Sequence, residues 1–153
     1  EGLWWHKIKN CLFLPKEDSY VRLHLKWKIL FEKNVIKSVW LSGFTIILRN
    51  NFINEIDDYA NWSSISSNAI YWGNIEIEQR WVIISNNVID SYNVESIYIK
   101  GDDNHATDNC SITGNKIRYL TYSHSKQNIR TDGNFTLISG NHIWWDYANI
   151  GNN

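Results

Sequence analysis

The sequence predicts an all-β protein built as a parallel β-helix, a chain that coils through short stacked strands. Three observations carry this. Nine Trp and eight Tyr accompany a single Pro, and Ile and Asn are abundant. β-Branched and aromatic residues favour strands, and Asn favours turns and left-handed backbone. No long stretch keeps a clean 3.6-residue period, which argues against helices. Finally, one short pattern recurs along the chain.

The pattern occurs as "TIILRNNFI" (45–53), "WVIISNNVI" (81–89), "NCSITGNKI" (109–117) and "FTLISGNHI" (135–143). Each copy places an apolar residue (Leu48, Ile84, Ile112, Ile138) three positions before an asparagine. The asparagines are Asn51, Asn87, Asn115 and Asn141, and an Ile follows two positions later. A second motif alternates with the first: "VWLSG" (39–43), "IYWGN" (70–74), "IYIKG" (97–101), "IRTDG" (129–133) and a shortened "IGN" (150–152). The interval from 129 to 150 gives room for three strands of about 3–5 residues and their turns. Such a coil stacks Ile on Ile inside and Asn on Asn at a tight corner, where side-chain amides bond to those above and below.

The other segments fit around these coils. Residues 1–38 form an N-terminal β segment that matches the repeat poorly, and 39–153 form the coils. Within the first part, Val21, Leu23, Leu25, Trp27 and Ile29 alternate with Arg22, His24, Lys26 and Lys28, the pattern of a half-buried strand with a basic outer face. Residues 54–68 and 119–128 exceed an ordinary turn and are expected to leave the solenoid as loops beside a binding site.

At 153 residues the chain is one domain. A net charge of −1 gives no reason to expect nucleic acid, and no apolar run is long enough for a membrane span. Cys11 and Cys110 lie too far apart for a metal-binding pair, and the five histidines show no metal spacing. Asn61, Asn109 and Asn134 head N-x-S/T sequons, as chance allows in a chain this rich in Asn, Ser and Thr.

"NNVIDSYNVESIYIKG" (86–101) and "CSITGNKI" (110–117) resemble rungs of the right-handed, single-stranded parallel β-helix proteins of the pectate-lyase-like superfamily. That superfamily includes polysaccharide lyases, glycoside hydrolases, epimerases and phage tailspike depolymerases. The resemblance covers about residues 39–153. It implies a solenoid of three parallel sheets with a carbohydrate groove along one of them. It also implies an extracellular or virion-surface location, a polysaccharide partner, and a homotrimer if the chain is tailspike-like. The sequence stops at "NIGNN", in mid-repeat, so a fragment of a longer solenoid is expected.

Side-chain alternation places the candidate chemistry. With Ile97 and Ile99 inward, Tyr98 and Lys100 face outward, and Arg130 and Asp132 do so one coil on. Aligning "IYWGN" with the same strand adds Tyr71 to the column of Tyr98 and Arg130 and sets Lys100 beside Asp132. Asp102 and Asp103 follow the strand end. β-Elimination from a uronate needs a cation to neutralise the carboxylate and a base to remove the neighbouring proton. Lys100 is the candidate base and Arg130 the neutraliser; Asp102, Asp103 and Asp132 are candidate Ca²⁺ ligands. A simple cross-strand ion pair between Lys100 and Asp132 is the competing reading.

Paired carboxylates would instead suit a hydrolase. The "GDD" and "TDG" aspartates echo those of β-helix polygalacturonases, but in the opposite order and without that family's Gly-His-Gly and Arg-Ile-Lys. Tyr71, Tyr98, Tyr119, Tyr122 and Trp144 are candidates for stacking on sugar rings. The expectation is a carbohydrate-polymer-binding β-helix, a lyase or hydrolase acting on an acidic polysaccharide. The alternative is a non-catalytic structural or receptor-binding segment of a fibre, tailspike or adhesin.

Overall fold

Among the described residues every strand pairing is parallel, and partners come from successive coils. The computed structural model describes residues 5–13, 21–60, 62–71, 73–78, 80–91, 95–100, 109–119, 128–132 and 136–145. The first strands are β1 (Trp5–Lys9), β2 (Leu12–Phe13), β3 (Val21–Glu32), β4 (Val35–Arg49) and β5 (Phe52–Ala60). Next come β6 (Ser64–Ser66), β7 (Ala69–Tyr71), β8 (Ile75–Ile77), β9 (Ile83–Ser85), β10 (Val88–Ser91) and β11 (Ile97–Ile99). The last are β12 (Ser111–Thr113), β13 (Lys116–Tyr119), β14 (Ile129–Thr131), β15 (Leu137–Ser139) and β16 (His142–Trp145).

These strands make three stacks, the architecture of a parallel β-helix. The first sheet runs from β1 through the ends of β3 and β4 to β6, β9, β12 and β15. The second runs from β2 through the starts of β4 and β5 to β7, β10, β13 and β16. The third takes the start of β3, the middle of β4 and the end of β5, then β8, β11 and β14. β3, β4 and β5 are long because each continues from one sheet into the next.

Alternation sends one apolar column inward from each sheet. Phe31, Leu48, Ile65, Ile84 and Ile112 stack in the first; Ile36, Ile53, Ile70, Ile89 and Ile117 in the second; Val39, Ile56, Ile75 and Ile97 in the third, all buried. Burying each such side chain contributes about 1.5–3 kcal/mol. A slip of one residue would turn a whole strand's apolar set to water, so the columns fix the register.

The corner between the first and second sheets carries an asparagine ladder. Its members are Asn34, Asn51, Asn68, Asn87, Asn115 and Asn141. In each coil the backbone N–H and the Nδ2 of one Asn donate to the Oδ1 of the next, and Nδ2 also donates to a carbonyl of the coil below. The residue before each Asn is left-handed, from Lys33 (φ 57°) through Asn50, Ser67 and Asn86 to Gly114 and Gly140. Buried amides would be costly without partners; here each finds them in its own column.

Two features correct the sequence reading. Asn34 and Asn68 belong to the ladder although "FEKNVI" and "SISSNAI" do not stand out as copies of the repeat. Consequently 54–68 is no loop: it holds most of β5, then β6 and Asn68, 17 residues after Asn51. The coiling also reaches N-terminal of residue 39, through Asn34 and through the pairing of β1 with β3. The alternation over 21–29 is interrupted by a register shift between Leu25 and Lys28, where β3 turns from the third sheet into the first. Of the second expected loop, 120–127 lies outside the described residues.

Candidate functional site

The outward face of the third sheet gathers most of the predicted chemistry. Glu76, Tyr98 and Arg130 are in register on β8, β11 and β14. They face outward because Ile75, Ile77, Ile97 and Ile99 on either side are buried. The stacking continues past the strand ends: Lys100 N–H donates to the Ile77 carbonyl at 2.8 Å, and Asp132 N–H to that of Ile99 at 2.9 Å. Glu78, Lys100 and Asp132 therefore follow one another along the solenoid.

Tyr98, Arg130 and Asp132 interlock. The Tyr98 hydroxyl donates to Asp132 Oδ2 at 2.8 Å, and Arg130 Nε donates to Asp132 Oδ1 at 3.2 Å. The Arg130 guanidinium lies 4.7 Å over the centre of the Tyr98 ring, and its Nη1 is 3.6 Å from Glu95 Oε1. The hydrogen bond to Asp132, followed by desolvation, raises the Tyr98 phenol above its ordinary range. The same carboxylate also raises Arg130. The result is an ordered patch with an aromatic ring, a planar cation and a carboxylate within one coil step.

Lys100 belongs to a separate pair. Its Nζ is 2.8 Å from Glu78 Oε1 and 3.8 Å from Glu76 Oε1, both on the preceding coil. A lysine base needs a free lone pair at its target, and here the nitrogen donates to the Glu78 carboxylate. Glu76 and Glu78 went unnoticed in the sequence. The signal was there: "IEIE" at 75–78 alternates apolar and acidic, as an outward acidic strand should.

Tyr71 is not in this column. Its strand pairs with β10, which places Tyr71 next to Asp90 on the second sheet. The physical reason is Asn68: the ladder fixes Ile70 two residues later against Ile89, and the third-sheet strand of that coil is β8. Tyr71, Asp90, Arg118 and Trp144 form one outward column. Arg118 Nε donates to Asp90 Oδ1 at 2.9 Å, Tyr71 stacks with Phe52 at 6.2 Å, and Trp144 meets His142 edge-on at 5.2 Å. Tyr119 lies in β13, in register with Ser91 and Trp145.

Asp102, Asp103 and Tyr122 lie outside the described residues. Asp132, the remaining candidate calcium ligand, is engaged by Arg130 and Tyr98. Among the described residues no group of three or more His, Cys, Asp or Glu is placed to hold a metal. Comparison of this chain with family models, with curated proteins and with solved structures finds no match.

Proposed function

We propose that this chain is a carbohydrate-binding β-helix that receives an acidic or polar glycan across the outward face of its third sheet, in the manner of the pectate-lyase-like proteins its rungs resemble. The observation that carries the reading is the interlocked Tyr98–Arg130–Asp132 patch. Its hydrogen bonds hold an aromatic ring, a planar cation and a carboxylate in fixed positions on one outward face, so little ordering is left for the ligand to induce. The reading stops at binding, because the Lys100 ammonium donates to Glu78 and is ion-paired with Glu76.

Titration calorimetry with polygalacturonate and hyaluronan tests it. Tyr98→Ala is expected to weaken binding about tenfold. Unchanged affinity would remove this face from consideration. Ultraviolet detection of an unsaturated product, lost in Lys100→Ala, would extend the reading to elimination.

One observation favours a second reading, an assembly segment without glycan chemistry. On the second sheet Leu12, Val35, Phe52 and Val88 occupy one outward column, and each is at least 43% exposed. An apolar stripe along the solenoid suits burial against another subunit. Sedimentation equilibrium of the wild type and of Val35→Glu/Val88→Glu distinguishes the two, since only the assembly reading expects a change of mass.

A further inference from the structure

The corner between the third and first sheets holds a second column of left-handed residues: Trp62 (φ 60°), Trp81 (φ 60°) and Asn109 (φ 59°). They are equivalent in successive coils, because Ser64, Ile83 and Ser111, two residues after each, are in register. The Trp62 N–H donates to the Arg80 carbonyl at 3.2 Å, as the stacking requires. Bulky side chains rarely adopt this backbone conformation. Here two do so consecutively.

The two indoles lie face to face, with centroids 4.9 Å apart and planes 4° from parallel. The stack therefore follows the coil direction. Both remain open to solvent, Trp62 at 53% and Trp81 at 44%. In the next coil the place belongs to Asn109, which is also exposed. An asparagine side chain ends well short of an indole's outer ring. Among the described residues the aromatic column stops at Trp81, which stacks on Trp62 alone and keeps 44% of its surface open.

We infer that this step in the column is a subsite for one pyranose ring, stacked on Trp81 with its rim against the Asn109 amide. A pyranose presents an apolar C–H face to an aromatic ring and hydroxyls around its edge. The Asn109 amide offers a donor and an acceptor to such hydroxyls, and a purely hydrocarbon ring would use neither. The coil spacing of about 4.8 Å suits the insertion of one ring as the next member of the stack. The subsite rests on the glycan-binding reading above and extends it: Trp81 follows Glu78 closely in sequence, so a polymer crossing the Lys100 end of the third sheet arrives at this corner.

The test is NMR saturation transfer and titration with short oligogalacturonates and cello-oligosaccharides. Three variants are compared with the wild type. Asn109→Trp keeps both indoles and fills the step; Trp81→Ala removes the platform; Tyr98→Ala disables the sheet face. Saturation of ring C–H protons is expected in the wild type and in Tyr98→Ala. It should be lost, with affinity down about tenfold, in Asn109→Trp and Trp81→Ala. Wild-type binding in both Asn109→Trp and Trp81→Ala overturns the inference and leaves the sheet-face reading to the Tyr98 variant. Binding of no saccharide by the wild type overturns both. Asn109→Trp, checked for folding by circular dichroism, decides the matter if Trp81→Ala does not fold.

Discussion

Asn87 reaches Asn115 twice through one atom: its backbone N–H and its Nδ2 both donate to Asn115 Oδ1 at 3.0 Å. Asn87 Oδ1 in turn accepts both donors of Asn68, and its Nδ2 donates to the Ile65 carbonyl at 2.9 Å. Asn87→Ala would remove the acceptor shared by the Asn68 backbone N–H and one Asn68 Nδ2 hydrogen, and the Nδ2 donor to the Ile65 carbonyl. At roughly 1–3 kcal/mol per orphaned group, the loss is on the order of 4 kcal/mol. Asn141→Ala, at the partly exposed last described member of the ladder, should cost about 1–2 kcal/mol. Urea denaturation of the two variants checks the difference.

Gly114 and Gly140 hold equivalent corners at φ 65° and 62°, yet their surroundings differ. A Cβ on Gly114 would sit 2.6 Å from Asn86 Oδ1, whereas on Gly140 its nearest neighbour is 3.8 Å away. Both alanine variants should lose about 1 kcal/mol to the left-handed backbone. Gly114→Ala should lose more, and Asn86→Ser should recover part of that excess in the double variant. Equal melting temperatures for the two single variants would show that Asn86 turns aside without cost.

Tyr98 should titrate above the ordinary phenol value of 10.0, because its neutral hydroxyl donates to Asp132. Its contribution to stability is therefore present below that value and disappears as pH rises through the raised one. Asp132→Asn should bring the titration back down. Arg130→Ala should move it further up by removing a nearby cation. NMR titration of the Tyr98 ring measures both, and the opposite signs separate the hydrogen bond from a general burial effect.

Glu32 behaves in the reverse sense. It is largely buried between Lys9 on the coil below and Arg49 on the coil above, with Arg49 Nε 2.9 Å from Oε1. The hydrogen bond from Lys9 and the charges of Arg49 and Lys9 outweigh desolvation and lower its titration. Stability from this group is present above the ordinary glutamate value of 4.5 and is lost as pH falls through the lowered one. The melting temperatures of wild type and Glu32→Gln should differ at neutral pH and converge in acid.

The coils were legible in the sequence where the backbone itself demands particular residues. A left-handed corner wants Asn or Gly, and the buried position after it wants an amide that can stack. Those demands show as Asn51, Asn87, Asn115 and Asn141 with their Ile companions. The coil of Asn68 was hidden because the residues between its buried Ile65, Asn68 and Ile70 are Ser and Ala and leave that skeleton without contrast. Missing that coil shifted Tyr71 to the wrong sheet. Ion pairing was less legible still, since Glu78 and Lys100 meet only after 22 residues of chain have gone round once.

The asparagine ladder also has a polarity. Each side-chain oxygen accepts from the coil on its N-terminal side, and each ladder backbone N–H donates toward the C-terminal side. The amide dipoles are thus aligned head to tail, much as peptide dipoles are in an α-helix. The strands on either side alternate their N–H and C=O directions and largely cancel. One corner of the solenoid consequently carries an aligned row of dipoles whose positive sense, among the described residues, runs toward the Asn141 coil.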